Sequence, residues 1–168
     1  CLAQLVNVIA PIMTETGGPA WRQTIFWPFA HFSNLGRGRV LRVQNDSPTY
    51  SANYFDPRGT QDLHFPLPEV PYLKLAAVHD EQAGALTVFA LNRSLTDEMP
   101  LRVTTTGFSS LVVDQSQQLY DADLEAVNTK ANPDRVKPSA LAGVQAQGGS
   151  LTATLQPASW NVIRAKVS

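Results

Sequence analysis

At 168 residues, with 43% hydrophobic and 16% charged side chains, the chain can bury the core of one ordinary globular domain with an appendage. Its 13 Lys and Arg stand against 14 Asp and Glu for a net charge of −1, and no dense basic cluster offers a footprint for nucleic acid. The single cysteine, Cys1, excludes an intrachain disulfide and reads as a small apolar residue, since nothing near it in sequence would make it a nucleophile. No apolar run reaches the roughly 18 residues of a membrane span, so no membrane partner is expected.

The opening CLAQLVNVIAPIM has no basic leader or small-residue cleavage pattern and does not read as a signal peptide. Leu5 to Met13, interrupted by Asn7 and Pro11, reads as a buried strand running into a loop. A strand buried on both faces needs neighbours, so the expectation is that the natural chain extends upstream of Cys1. Thr14 to Pro19, with its Gly17-Gly18-Pro19 breaker, reads as a loop. Thr24 to Asn34 reads as a short helix interrupted at Pro28 and ended by Asn34 or Gly36. Up to Leu35 the only acidic residue is Glu15, and two of the three tryptophans, Trp21 and Trp27, lie here. That is the composition of an interior or an interface.

Gly36-Arg37-Gly38 fits a turn between two parts of the chain. Beyond it, short apolar runs alternate with Pro, Gly, Asn and Asp clusters, the pattern of strands and turns. Strands are expected at Arg39 to Gln44, Leu73 to His79, Leu86 to Asn92, Leu101 to Thr106, Leu111 to Gln117, Leu151 to Leu155 and Asn161 to Lys166, with a hairpin turn at Ala83-Gly84. Leu101, Val103 and Thr105, like Leu151, Ala153 and Leu155, alternate so that one face points inward. Gln118 to Ser150 is polar and reads as a long excursion between strands, with a short strand at Val136. No fixed-period repeat is present. The fold class expected is all-β: an antiparallel β-sandwich, jelly-roll-like, over residues 37–168, preceded by a short piece of another domain over residues 1–36.

His31, His64 and His79 are far apart and match no ligand spacing, so neither a metal nor a cofactor is expected. The carboxylates, in runs such as Asp80-Glu81, Asp97-Glu98 and Asp121 to Glu125, read as solvated loop charge, since nothing apolar surrounds them to raise a pKa. Gln4 and Asn7 are more informative. An amide in a buried strand costs about 1–3 kcal/mol unless it is hydrogen-bonded. Each therefore bonds either to neighbouring backbone or to a polar ligand, and Trp21 offers an apolar face for a sugar ring.

The run CLAQLVNVIAPIMT from Cys1 to Thr14, GPAWRQTIF from Gly18 to Phe26 and Pro28-Phe29 resemble the end of the catalytic barrel of family 51 α-L-arabinofuranosidases. VPYL from Val70, TVFALNR from Thr87 and SWNVIR from Ser159 are similar to the C-terminal β-sandwich of that family. The resemblance implies a retaining glycosidase that removes terminal α-L-arabinofuranosyl groups from arabinan, arabinoxylan or their oligosaccharides. It makes Cys1 to about Asn7 the last strand of a truncated (β/α)8 barrel, and Thr24 to Leu35 part of its closing helix. Gln4 then matches the family's sugar-contacting glutamine, with Asn7 and Trp21 as further substrate-binding candidates lining the pocket. The catalytic glutamates lie on earlier barrel strands, so the resemblance implies no catalytic residue in this stretch, which alone would be inactive. It also implies contact with an upstream barrel domain, a homo-oligomeric parent and a cytoplasmic rather than secreted location. Trp27 departs from the Tyr that related sequences often carry, which leaves substrate preference open. A free-standing carbohydrate-binding sandwich is the competing reading, but Trp160 is the only tryptophan beyond Gly38 and a sugar platform needs exposed aromatics on one sheet face.

Overall fold

A computed structural model describes residues 4–54 and 65–168; Cys1 and His64 fall outside them. The first part of the chain forms β1 (Ile12–Thr14), β2 (Ala20–Arg22) and the helix α1 (Phe26–Leu35). The buried strand expected over Leu5 to Met13 does not form. Leu5, Val6, Val8 and Ile9 are 64%, 43%, 73% and 72% exposed, and Val6 makes only an isolated bridge to Ile12. The chain instead turns back on itself: Asn7 and Val8 adopt φ of 62° and 59°, the Asn7 N–H donates to the Ile12 carbonyl, and the Ala10 N–H donates to that of Asn7. With no strand beside it among the described residues to complete a ladder, the backbone satisfies itself locally.

Pro28 does not interrupt α1. It is the third residue after the N-cap Ile25, inside the first turn, where backbone N–H groups have no intrahelical partner and a missing one costs nothing. The helix ends at Leu35, and the Gly36 N–H closes the last turn on the Phe32 carbonyl at 2.9 Å.

Beyond Gly38 the chain forms β3 (Arg39–Leu41), β4 (Thr49–Tyr54), β5 (Phe65–Pro71), β6 (Leu73–Asp80), β7 (Ala85–Asn92), β8 (Met99–Thr104), β9 (Leu111–Leu119), β10 (Ser139–Ala140), β11 (Gln145–Gln147), β12 (Ser150–Leu155) and β13 (Ser159–Val167). All seven expected strands are present, the first shortened to end at Leu41. A six-stranded antiparallel sheet has the order β10-β9-β13-β7-β6-β3, a three-stranded sheet the order β11-β12-β8, and β4-β5 is a separate hairpin. Val136 is buried but is not in a strand, contrary to expectation.

The two larger sheets pack face to face. Leu86, Val88, Ala90 and Ile163 of the six-stranded sheet meet Leu101, Leu151, Ala153 and Leu155 of the smaller one, where Leu101 pairs with Ala153 and Met99 with Leu155. The opposite face of the six-stranded sheet is apolar too, with Val78, Phe89 and Val162 packed against Leu35 of α1 and Trp160. Every residue of β7 except Leu91 is consequently buried.

Two residues hold particular junctions. Asn92, fully buried at the end of β7, donates from Nδ2 to the carbonyls of Asp97 and Gln156 at 2.9 Å and accepts the Ser94 N–H at 3.0 Å, tying one sheet to the end of the other. Gly38 has φ of 117°, and a Cβ there would run into the carbonyl oxygen of His79. Gly38→Ala should therefore lower stability by about 1–3 kcal/mol from backbone strain alone, and Asn92→Ala by about 2–3 kcal/mol through unpaired buried groups. Urea denaturation of the two variants measures both losses.

Candidate functional site

Asn7 stands where the chain reverses, and its amide points into the fold. Oδ1 accepts the Thr14 N–H at 2.7 Å, and Nδ2 donates to the Thr14 hydroxyl at 3.0 Å. A left-handed backbone suits Asn, whose short amide bonds locally, so one residue supplies both the turn and the bond that closes it. Thr14 pairs with Ala20, and the next residue, Trp21, is half-buried on β2 opposite Met13. Asn7 and Trp21 thus belong to one compact hairpin unit. Gln4 lies just before it, exposed, and stands apart from this network among the described residues.

The unit is fastened to the sandwich by residues that sequence reasoning passed over. Asn128, 7% exposed in the polar excursion, donates to the carbonyls of Arg22 at 3.0 Å and Val136 at 2.9 Å and accepts the Val136 N–H at 2.8 Å. The Trp27 indole N–H also donates to the Val136 carbonyl, at 3.3 Å, and Lys130 pairs with Glu15 at 2.6 Å. The Arg22 guanidinium lies 5.2 Å from the Trp27 ring centroid, a cation–π contact. The excursion is therefore a strap across the hairpin and the start of α1. Its one advance signal was Val136, an apolar residue isolated in a polar stretch.

Several titratable groups have structural partners. Nδ1 of His31, on α1, accepts the Trp160 indole N–H at 3.0 Å, and burial pushes its imidazole below the usual range, opposed by a hydrogen bond with Gln117. His79 meets the Phe108 ring edge-on at 4.8 Å. Among the described residues, no three His, Cys, Asp or Glu come together to hold a metal ion. Asp121 and Asp123 grip Arg135 at 3.4 and 2.6 Å, and chiefly the hydrogen bond from Arg135 holds the Asp123 carboxyl below the usual carboxylate range. A glycosidase general acid needs the opposite, a carboxyl kept protonated in apolar surroundings. Glu98 accepts from Gln156 at 2.6 Å, and Asp97 from Ser94 and Thr96 at 3.1 Å. Asn128→Ala should release the strap, costing about 2–3 kcal/mol for buried backbone groups left unpaired. Limited proteolysis should then cut between residues 119 and 138 well before it cuts the unmodified chain.

The family model of the α-L-arabinofuranosidase C-terminal domain matches residues 1–159. Over 164 residues the chain is 49% identical to an intracellular exo-α-(1→5)-L-arabinofuranosidase of Streptomyces lividans, covering 98% of this chain and 23% of that protein. It is 41% identical over 166 residues to intracellular exo-α-(1→5)-L-arabinofuranosidase 1 of Bacillus subtilis, covering 99% of this chain and 30% of that protein. The chain thus spans 23% to 30% of the length of these relatives. Among solved structures, AbfB, a family 51 α-L-arabinofuranosidase from Bifidobacterium longum, matches with a TM-score of 0.80 at 34% identity, over 96% of this chain and 29% of that one. The α-L-arabinofuranosidase of Thermotoga maritima, at 23% identity, shares the fold with a TM-score of 0.77 over 96% of this chain and 32% of that one. The matched stretch takes in the hairpin, the helix and every strand of the sandwich up to the start of β13, and the chain belongs to the α-L-arabinofuranosidase C-terminal domain family.

Proposed function

We propose that the chain is the C-terminal part of a retaining, exo-acting α-L-arabinofuranosidase that removes terminal α-L-arabinofuranosyl groups from arabinan, arabinoxylan or their oligosaccharides. The observation that carries this reading is a match over nearly all of this chain to relatives of which it spans less than a third. In such an enzyme one glutamate attacks C1 to form a covalent glycosyl-enzyme, while a second protonates the leaving oxygen and then activates water. Both glutamates belong to the upstream barrel, and residues 37–168 brace that barrel without catalysing. Residues 1–36 are its last strand and closing helix. The exposure of Leu5, Val6, Val8 and Ile9 supports this: burying one such side chain against neighbouring strands is worth about 1.5–3 kcal/mol.

Gln4, at the end of that strand, orients an arabinose hydroxyl, and Trp21 offers an apolar wall. Asn7 supports the pocket chiefly by shaping the loop through Thr14. Trp160 is covered by α1 and bonded to His31, which favours a bracing role for the sandwich over a sugar-binding platform. The names of the relatives support an intracellular location for the parent, and a homo-oligomeric assembly belongs to the same reading.

The full-length protein should hydrolyse an aryl α-L-arabinofuranoside, and this chain alone should not. Gln4→Ala in the full-length protein should lower kcat/KM about 10–100-fold, the scale of one hydrogen bond to a buried polar group. An unchanged kcat/KM would remove Gln4 from the site. Retardation of this chain on arabinan in affinity electrophoresis would replace bracing with carbohydrate binding.

A further inference from the structure

Helix α1 is held on the outer face of the six-stranded sheet by aromatic rings and by hydrogen bonds of His31 with Trp160 and Gln117. Phe32 lies 4.3 Å from Phe89 and 5.1 Å from Trp160 between ring centroids. Beside them the Trp160 indole N–H donates to Nδ1 of His31, which is 8% exposed. An indole N–H can only donate, so Nδ1 must be bare and the neutral ring carries its proton on Nε2. A second proton would set one N–H against another and place a cation under a helix that has no acidic residue.

Among the described residues, the charged groups on the elements packed beside His31 are engaged with one another as ion pairs. On β9, Gln115 and Gln117 are neutral. Lys137, which lines a cleft of about 370 Å³ with His31, is a cation 3.7 Å from Asp134. Arg164, on the same face of β13 as Trp160 by strand alternation, lies 3.9 Å from Asp114. Burial lowers the basicity of His31 against the pull of its hydrogen bond with Gln117, in agreement with this geometry.

We propose that the His31–Trp160 contact is a pH-sensitive latch: with His31 neutral, α1 and the hairpin before it are locked onto the sandwich, and with His31 protonated, Trp160 loses its acceptor and the helix loosens. The sign follows from linkage. An unfolded imidazole takes up a proton near pH 6.5 and the docked one only below that, so acid favours the undocked state. Docking is in full strength above roughly pH 7 and weakens as the pH falls through and below about 6.5.

The test is a ¹H–¹⁵N titration of the three indole N–H groups in this chain from pH 8 to 4.5, with Trp160 assigned through Trp160→Phe. The Trp160 resonance should shift and broaden in one step, centred below the usual imidazole range. That of Trp27, bonded to the Val136 carbonyl, should hold through the same step. His31→Asn, which keeps an acceptor near the Nδ1 position but cannot titrate, should abolish the step. In Trp160→Phe the His31 ring should titrate at a higher pH than in the unmodified chain, having lost the contact that keeps Nδ1 bare. A Trp160 resonance that holds to pH 4.5, the same step in His31→Asn, or an unshifted His31 titration in Trp160→Phe would each overturn the latch.

Discussion

Strands β7 and β13 form the centre of the six-stranded sheet and are buried on both faces, and the rest of the molecule is arranged around that constraint. A two-sided apolar sheet is unstable in water until both sides are covered. The smaller sheet covers one side with Leu101, Leu151 and Leu155. The other side, at Phe89 and Val162, is covered by a helix from the first 36 residues, the part that otherwise reads as belonging to another domain. The joint between the two parts of the chain is thus an extension of the core rather than a flexible tether.

Where apolar packing runs out, side-chain amides take over. Asn92 closes the end of the sandwich by bonding carbonyls from two different segments, and Asn128 closes the strap over the hairpin in the same way. A buried amide can donate and accept at once, so each fixes irregular backbone that no ladder satisfies. The His31–Trp160 contact is a third polar tie, and it differs in that one member is an imidazole, which burial holds below its usual range. The hydrogen bonds that hold the first 36 residues are therefore of two kinds, one fixed and one sensitive to acid.

Much of this was legible in the residues. The seven short apolar runs beyond Gly38 that read as strands became strands, and alternation at Leu101 to Thr105 and Leu151 to Leu155 matches a half-buried pleat whatever the neighbours are. The Gly38 turn and the Ala83-Gly84 hairpin followed from local backbone chemistry, and Gly38 and Gly84 adopt φ of 117° and 56°. The β4-β5 hairpin was missed because Pro66, Pro68 and Pro71 argue against a strand. Those prolines are accommodated because a two-stranded ribbon leaves one side of each strand without hydrogen-bonding demands. Pro28 misled in the same way, since its effect depends on its place in the helix rather than on its identity.

The sequence by itself determined the sandwich, the family and the amides worth watching, because periodicity and motif order are local properties. Only the tertiary structure decided what those amides do. Asn7 turned out to bond Thr14, Asn128 emerged from a stretch that had looked featureless, and His31 found Trp160 at a separation of 129 residues. The fate of Leu5 to Ile9 was decided at the same level. Whether an apolar run becomes a buried strand depends on the strands that pair with it, and the described residues supply it only with Ile12, a single bridge.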